Sequence, residues 1–217
     1  RFYLMNSVVM QADNLNFSEK GVESAYRKVG LLLLNVANYF ATYQSMESSE
    51  AQTSDAQKLL DEWIMAHTNE LVKNVGEYLD VYDTVRATRV IQEYVDNLST
   101  WYLRRSRKRK DPAFFQTMRE CLLTASKVIA PFMPFLAEKL YQDLKLGDSA
   151  ESVHLAEWPG SIREQKKDKE LILQMAEVRK LASLALAKRA EAKIKVRQPL
   201  ASLQIRNPKS EIRNNKE

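Results

Sequence analysis

Glycine and proline are scarce and widely spaced in this chain, and this scarcity constrains its fold more than any other feature. The 217 residues include only five glycines and six prolines, about 5% of the chain, where an average globular sequence carries roughly 12%. Turns must therefore be few and secondary-structure elements long. This disfavours β-sandwiches and barrels, which need frequent marked turns. It also excludes a glycine-rich phosphate loop, because no two glycines lie within four residues of each other.

Apolar residues recur every three or four positions along most of the sequence, which is the period of an amphipathic helix. Residues that favour helix N-termini stand where these segments begin. Ser18, Ser54 and Asp111 occupy N-cap positions, Gln57 completes a capping box with Ser54, and Pro112 stands at a first helical position. The sequence therefore predicts an all-α, largely antiparallel helix bundle.

The C-terminal part differs from this bundle. A long helix is predicted from about Asp168 to near Lys193, and the alternation of Ala201, Leu203 and Ile205 predicts one strand. A lone strand cannot pair its backbone groups, so its sheet partners are expected in sequence beyond this chain. We divide the chain into a helical bundle, residues 1–160, and a long helix with the start of a truncated domain, residues 161–217. The apolar opening without an initiator Met likewise suggests an excised piece.

The chain has too few cysteines and histidines for an internal disulfide or a Cys/His metal site. The single cysteine, Cys121, excludes an internal disulfide and indicates a reducing compartment such as the cytoplasm. With only His67 and His154 beside it, we expect no Cys/His zinc site and no other metal site. His67 and Cys121 both fall among apolar neighbours and are interpreted as core residues. No stretch approaches the roughly 18 uncharged apolar residues of a membrane span, and no signal peptide is recognisable.

Positive charge is concentrated in one short segment, which we call the basic tract. Residues 163–217 hold 15 basic and 7 acidic side chains, whereas residues 1–162 hold 18 and 21. Six of those 18 cations fall within seven positions of the otherwise acidic part: Arg104, Arg105, Arg107, Lys108, Arg109 and Lys110. Such a cluster indicates contact with a polyanion such as nucleic acid. The alternative is a solvated helix end stabilised by the helix dipole. The adjacent Trp101 and Tyr102 are interpreted as core residues, and the alternative is that they stack on bases.

A second group of cations follows the long helix. In an extended segment, Lys193, Lys195 and Arg197 would point to one face and Ile194 and Val196 to the other. The three charges would then form a stripe over a buried apolar pair, which suits a phosphate backbone. The alternative is that they only keep a loop soluble. Both cation groups are therefore candidate RNA contacts.

Five strings in this order resemble the anticodon-binding region of class Ia aminoacyl-tRNA synthetases, and specifically the isoleucyl-tRNA synthetases. They are NFSEKGV (16–22), LSTWYLRRSR (98–107), APFMPFLAE (130–138), VHLAEWP (153–159) and KVRQPL (195–200). The third and fourth strings are shared in looser form with the valine enzymes. The second and fifth favour isoleucine, and together the strings span nearly the whole chain.

This resemblance implies that a larger parent enzyme uses ATP and Mg²⁺ to activate isoleucine and transfers it to tRNA(Ile). It implies that the enzyme is a monomer with no membrane partner. It also implies that the catalytic and editing domains lie elsewhere in the same polypeptide and that a C-terminal junction domain follows residue 160. The His-Ile-Gly-His and Lys-Met-Ser-Lys-Ser signatures of the catalytic domain do not occur here. We therefore expect no catalytic residue and no cofactor in this fragment. The alternatives are a related class Ia enzyme, such as that for valine, or a protein-interaction bundle whose basic tract is merely solvated.

Overall fold

The computed structural model describes residues 1–147, 149–160, 166–202 and 204. Its α-helices are α1 (Phe2–Met5), α2 (Glu19–Ala25), α3 (Leu32–Tyr43), α4 (Asp55–Asp80), α5 (Thr84–Asp96), α6 (Arg104–Ser106), α7 (Pro112–Ile129), α8 (Pro134–Leu144) and α9 (Lys166–Glu191). Short 3₁₀ turns occupy Val8–Gln11, Gln44–Met46 and Val153–Leu155. None of the described helices is long and apolar enough to cross a membrane. The all-α prediction is confirmed.

Local side-chain caps fix where the helices begin, as the sequence predicts. The Ser18 hydroxyl accepts the Gly21 N–H at the start of α2. At the start of α4, the Ser54 hydroxyl accepts the Gln57 N–H, and the Gln57 side chain accepts the Ser54 N–H in return. The Asp111 carboxylate caps α7, with Pro112 as its first residue. These caps satisfy backbone donors that have no partner inside a helix.

Helix α4 packs against both α5 and α7. Because only three residues separate α4 from α5, and four separate α7 from α8, each of these packed pairs is antiparallel. Large side chains that are fully buried, including Trp63, Leu71, Phe114 and Met118, fill the space between the helices. Antiparallel packing of α4 and α5 places the N-terminal end of α4 beside the C-terminal end of α5.

Two π-helical segments, which the periodicity does not predict, extend the helices into longer runs. Tyr26–Leu31 joins α2 to α3, and Asn97–Leu103 joins α5 to α6. A π-turn accommodates one residue more than an α-turn, so it shifts the face on which later residues lie. In the second segment Tyr102 is fully buried, whereas Trp101 is only half-buried. The basic tract begins directly after this segment.

The residues that the structure describes offer neither a reactive thiol nor a metal site. Cys121 is fully buried beside the Thr68 hydroxyl, and burial raises the pKa of its thiol to about 11. It is therefore a core residue, as predicted, and remains protonated at neutral pH. His67 is half-buried with its ring edge-on to Trp63. Among the described residues, no group of three or more potential ligands is placed to hold a metal ion.

The chain forms two compact units, Arg1–Leu173 and Gln174–Glu217. The domain boundary between residues 160 and 161 stays a prediction. In the second unit α9 ends at Glu191, and Lys193 adopts a left-handed backbone conformation with φ of 55°. The strand predicted after Pro199 falls partly on Leu203 and Ile205, which lie outside the described residues.

Candidate nucleic-acid interface

The basic tract comprises the short helix α6 and the turn that joins it to α7, and earlier parts of the bundle hold the backbone of that turn. The Tyr39 hydroxyl of α3 donates a 2.8 Å hydrogen bond to the carbonyl oxygen of Arg107. The Ser48 N–H donates to the carbonyl oxygen of Lys110 at 2.8 Å. Both donors lie far away in sequence, so the conformation of this turn depends on the folded bundle.

Arg109 points inward from the turn and joins two carboxylates. Its Nη1 and Nη2 atoms donate to the two oxygens of Asp61 on α4, at 2.6 and 2.7 Å. Its Nε and Nη2 atoms donate to the two oxygens of Asp111, at 2.9 and 2.7 Å. The guanidinium therefore makes a planar bidentate pair with each carboxylate, a geometry that arginine provides and lysine does not.

The remaining lone pairs of these carboxylates also have donors. Asp61 accepts the Tyr102 hydroxyl at 2.7 Å. Asp111 accepts the Thr53 hydroxyl at 2.9 Å and the Phe114 N–H at 3.1 Å. We call Asp61, Arg109, Asp111 and their hydroxyl donors the buried network. Because each charged group has a partner, the network avoids the high cost of an isolated buried charge.

Asp111 and Arg109 keep their charges at neutral pH. Burial alone would raise the pKa of Asp111, but the hydrogen bonds from Arg109 and Thr53 outweigh it and lower that pKa to about 2. Burial would lower the pKa of Arg109, and its bonds to Asp111 and Asp61 raise it above its ordinary value instead. Burial, together with the adjacent Asp61 carboxylate, raises the pKa of Tyr102, which stays a neutral donor. One cation is therefore held between two anions beneath the turn.

This burial corrects one residue of the sequence-based interface. Arg109 is only 6% exposed, and four hydrogen bonds engage its guanidinium, so it cannot reach a phosphate. The other members of the tract are exposed: Arg104, Arg105, Arg107, Lys108 and Lys110. We call these five the exposed cations. Their number exceeds what a helix dipole stabilises, because Arg107, Lys108 and Lys110 lie beyond the end of α6.

The two aromatic residues before the tract have different roles. Tyr102 is fully buried and donates into the network, so it cannot stack on a base. Trp101 is half-buried, and the Arg105 guanidinium carbon lies 3.2 Å from the centre of its ring. This cation–π contact orients Arg105 on the surface. The core interpretation is therefore confirmed for Tyr102.

The second group of cations is exposed, but its predicted geometry is wrong. Lys193, Lys195 and Arg197 are all exposed. Their backbone is not an extended strand, because Lys193 is left-handed and a turn from Lys195 is closed by the Gln198 N–H, which donates to the Lys195 carbonyl at 2.9 Å. Val196, expected to be buried, is 70% exposed. The alternating stripe therefore does not form, although the three charges remain accessible.

Comparison with known proteins gives matches to the same family that the five sequence strings resemble. The family model described as "Anticodon-binding domain of tRNA ligase" matches residues 61–205, which include the basic tract. The chain is 38% identical to the isoleucine--tRNA ligase of Chlamydia caviae over 224 residues, covering 98% of this chain and 21% of that protein. It is 39% identical to that of Chlamydia trachomatis serovar D over 215 residues, covering 94% and 21%. The chain thus spans about a fifth of the length of the curated relatives it matches.

Proposed function

Since this chain belongs to the family of anticodon-binding domains of tRNA ligases, we propose that it binds the anticodon stem and loop of a tRNA through the five exposed cations. The observation that carries this proposal is their arrangement on a rigid base. Arg107, Lys108 and Lys110 flank the buried Arg109 in one turn. Hydrogen bonds donated by α3 and by the segment before α4, together with the bonds that Arg109 donates to Asp61 of α4, hold that turn. Because the backbone of the turn is already ordered, only the exposed side chains lose conformational entropy when a phosphate binds.

We further propose that the whole protein is an isoleucine--tRNA ligase that charges tRNA(Ile). The relatives that carry this name are 36–39% identical to the chain. In this proposal ATP and Mg²⁺ act in a catalytic domain elsewhere in the polypeptide. The described residues here do not fit them, because they contain no phosphate-binding glycine loop and no metal-ligand cluster. A monomeric state and a cytoplasmic location belong to the same proposal.

The test of RNA binding is a filter-binding titration of this chain with tRNA at about 50 and 200 mM salt. Each phosphate that a cation neutralises contributes roughly 0.7–0.9 to the slope of log affinity against log salt. If all five exposed cations act, affinity should fall by about 100-fold or more between these salt concentrations. Binding that is absent at both concentrations, or that does not depend on salt, would contradict the proposal.

The second group of cations is tested in the full-length ligase. We expect Lys195→Ala with Arg197→Ala to raise the Michaelis constant for tRNA several-fold, roughly in line with the loss of two phosphate contacts. Isoleucine activation, measured by pyrophosphate exchange, should not change, because it requires no tRNA contact. A parallel fall in activation and aminoacylation would indicate that the segment supports the fold instead.

A further inference from the structure

Two tyrosines of α3 form a ring pair beside the exposed cations. Tyr39 and Tyr43 are four residues apart and therefore share one face of the helix. Their ring centres lie 4.6 Å apart with an angle of 33° between the planes. The next aromatic residue of the helix, Phe40, is instead buried and packs against Phe115 in the core. The pair is thus separate from the aromatic core of the bundle.

The ring pair is fixed to the turn that carries the cations. The Tyr39 hydroxyl donates to the Arg107 carbonyl, as described above. Burial and the adjacent Tyr43 raise the pKa of Tyr39, while the nearby positive charge of Arg107 acts in the opposite direction. The side chain of Arg107 therefore lies close enough to Tyr39 to affect its titration. The ring pair and Arg107 are therefore neighbours in the folded bundle.

Tyr39 is half-buried and supports Tyr43, which is 40% exposed. A tyrosine whose ring is already held by a neighbour loses little side-chain entropy when a flat group stacks on it. Unpaired bases are such flat groups, and proteins that bind single-stranded RNA combine aromatic rings with cations that follow the phosphates. Paired bases in the interior of a stem are inaccessible to the ring, because both of their faces are already stacked on neighbouring pairs.

We propose that Tyr43, supported by Tyr39, is a stacking site for one unpaired base of an RNA loop, whose phosphate lies against Arg107. This inference rests on the proposed function, and it assigns recognition of the loop to a ring and of the backbone to the cations. Stacking on a tyrosine is tolerant of base identity. The site therefore distinguishes a loop from a duplex, not one base from another.

The test uses this chain with two RNAs, a stem–loop and a blunt duplex of the same stem. In separate stem–loops, 2-aminopurine replaces one loop base at a time, because its fluorescence is quenched when it stacks. We expect Tyr43→Leu to weaken stem–loop binding about 5- to 160-fold, the range for loss of one stacked base. The same change should abolish the quenching and leave duplex binding unaltered. Tyr43→Phe keeps the ring and should retain both the affinity and the quenching.

Tyr82 supplies the matched control, because it is 88% exposed and lies just after the C-terminal end of α4, at the opposite end of the bundle from the tract. Tyr82→Leu should leave the affinity for both RNAs unchanged. If the unchanged chain shows no salt-dependent RNA binding, the proposed function and the stacking site both fail. Two results would overturn the stacking site alone, provided that the unchanged chain binds RNA. In the first, Tyr43→Leu binds the stem–loop as tightly as the unchanged chain does. In the second, Tyr43→Leu loses the same affinity for the stem–loop and for the duplex.

Discussion

Replacing Arg104, Arg105 and Arg107 together by Glu is expected to weaken tRNA binding about 1,000-fold at about 50 mM salt. Counterion release by three phosphate contacts supplies approximately that factor between this concentration and 1 M salt. The slope of log affinity against log salt should also become shallower by roughly two to three. All three side chains are exposed, so the variant should keep its fold, which circular dichroism can verify.

A matched variant changes the net charge equally at other sites. Lys20, Lys28 and Arg89 are exposed cations that lie on α2, on the first π-helical segment and on α5. Changing these three to Glu should leave the salt slope within about one of the original value. If both triple variants lose affinity alike, net charge and not the basic tract governs binding. If the first variant binds as the unchanged chain does, the tract is a solvated helix end.

Arg109→Met is expected to lower the free energy of unfolding by about 3–5 kcal/mol, although it removes one charge from a tract of six. The substitution leaves Asp61 and Asp111 facing each other in the interior without a cation between them, and breaking a buried ion pair costs this much. The measurement is urea denaturation followed by circular dichroism. Arg104→Met is the control, because Arg104 is exposed and its loss should change stability by less than about 0.5 kcal/mol.

A second substitution shows whether the buried network causes the loss. Asp61→Asn in the Arg109→Met background removes one of the unpaired carboxylates, while the Asn side chain can still accept the Tyr102 hydroxyl. The double variant should therefore be more stable than the sum of the two single losses predicts, because neighbouring members of one network are not additive. Additive losses, or a cost of less than about 1 kcal/mol for Arg109→Met, would argue against the network as a structural tie.

Sequence reasoning succeeded where the determinants are local. A capping box needs only Ser54 and Gln57, three residues apart, and an N-cap with proline needs only Asp111 and Pro112. The helical periodicity likewise depends on neighbours within a few turns. These features could therefore be read before any tertiary contact was known, and they define the helices of the bundle.

The role of Arg109 could not be read in this way. In the sequence it is one of six similar cations, and its main partner, Asp61, lies 48 residues earlier. Asp61 itself stands at an ordinary helical position, and only the packing of α4 beside the turn buries it. One signal was present: Asp111 lies two residues after Arg109. That spacing alone did not show which cation turns inward.

The predicted geometry of the second group of cations was wrong for a related reason. Alternation predicts a strand only when neighbouring strands pair with it. Between Lys193 and Gln198 the chain instead forms turns, and the Arg189 guanidinium of α9 donates to the Gln198 carbonyl at 2.6 and 3.0 Å. The segment therefore folds back toward its own helix. The ring pair on α3 was also missed, because the connection between Tyr39 and Arg107 spans 68 residues.

These long separations affect when the surface forms during folding. The charge of the basic tract is present as soon as its seven residues have been synthesised. Its shape, however, requires loops of 48 and 68 residues to close, and contacts between distant residues form slowly because loop closure costs chain entropy. An incompletely folded chain therefore carries the same cations as a flexible polycation, which attracts RNA without ordering it. The ordered surface therefore requires the native bundle.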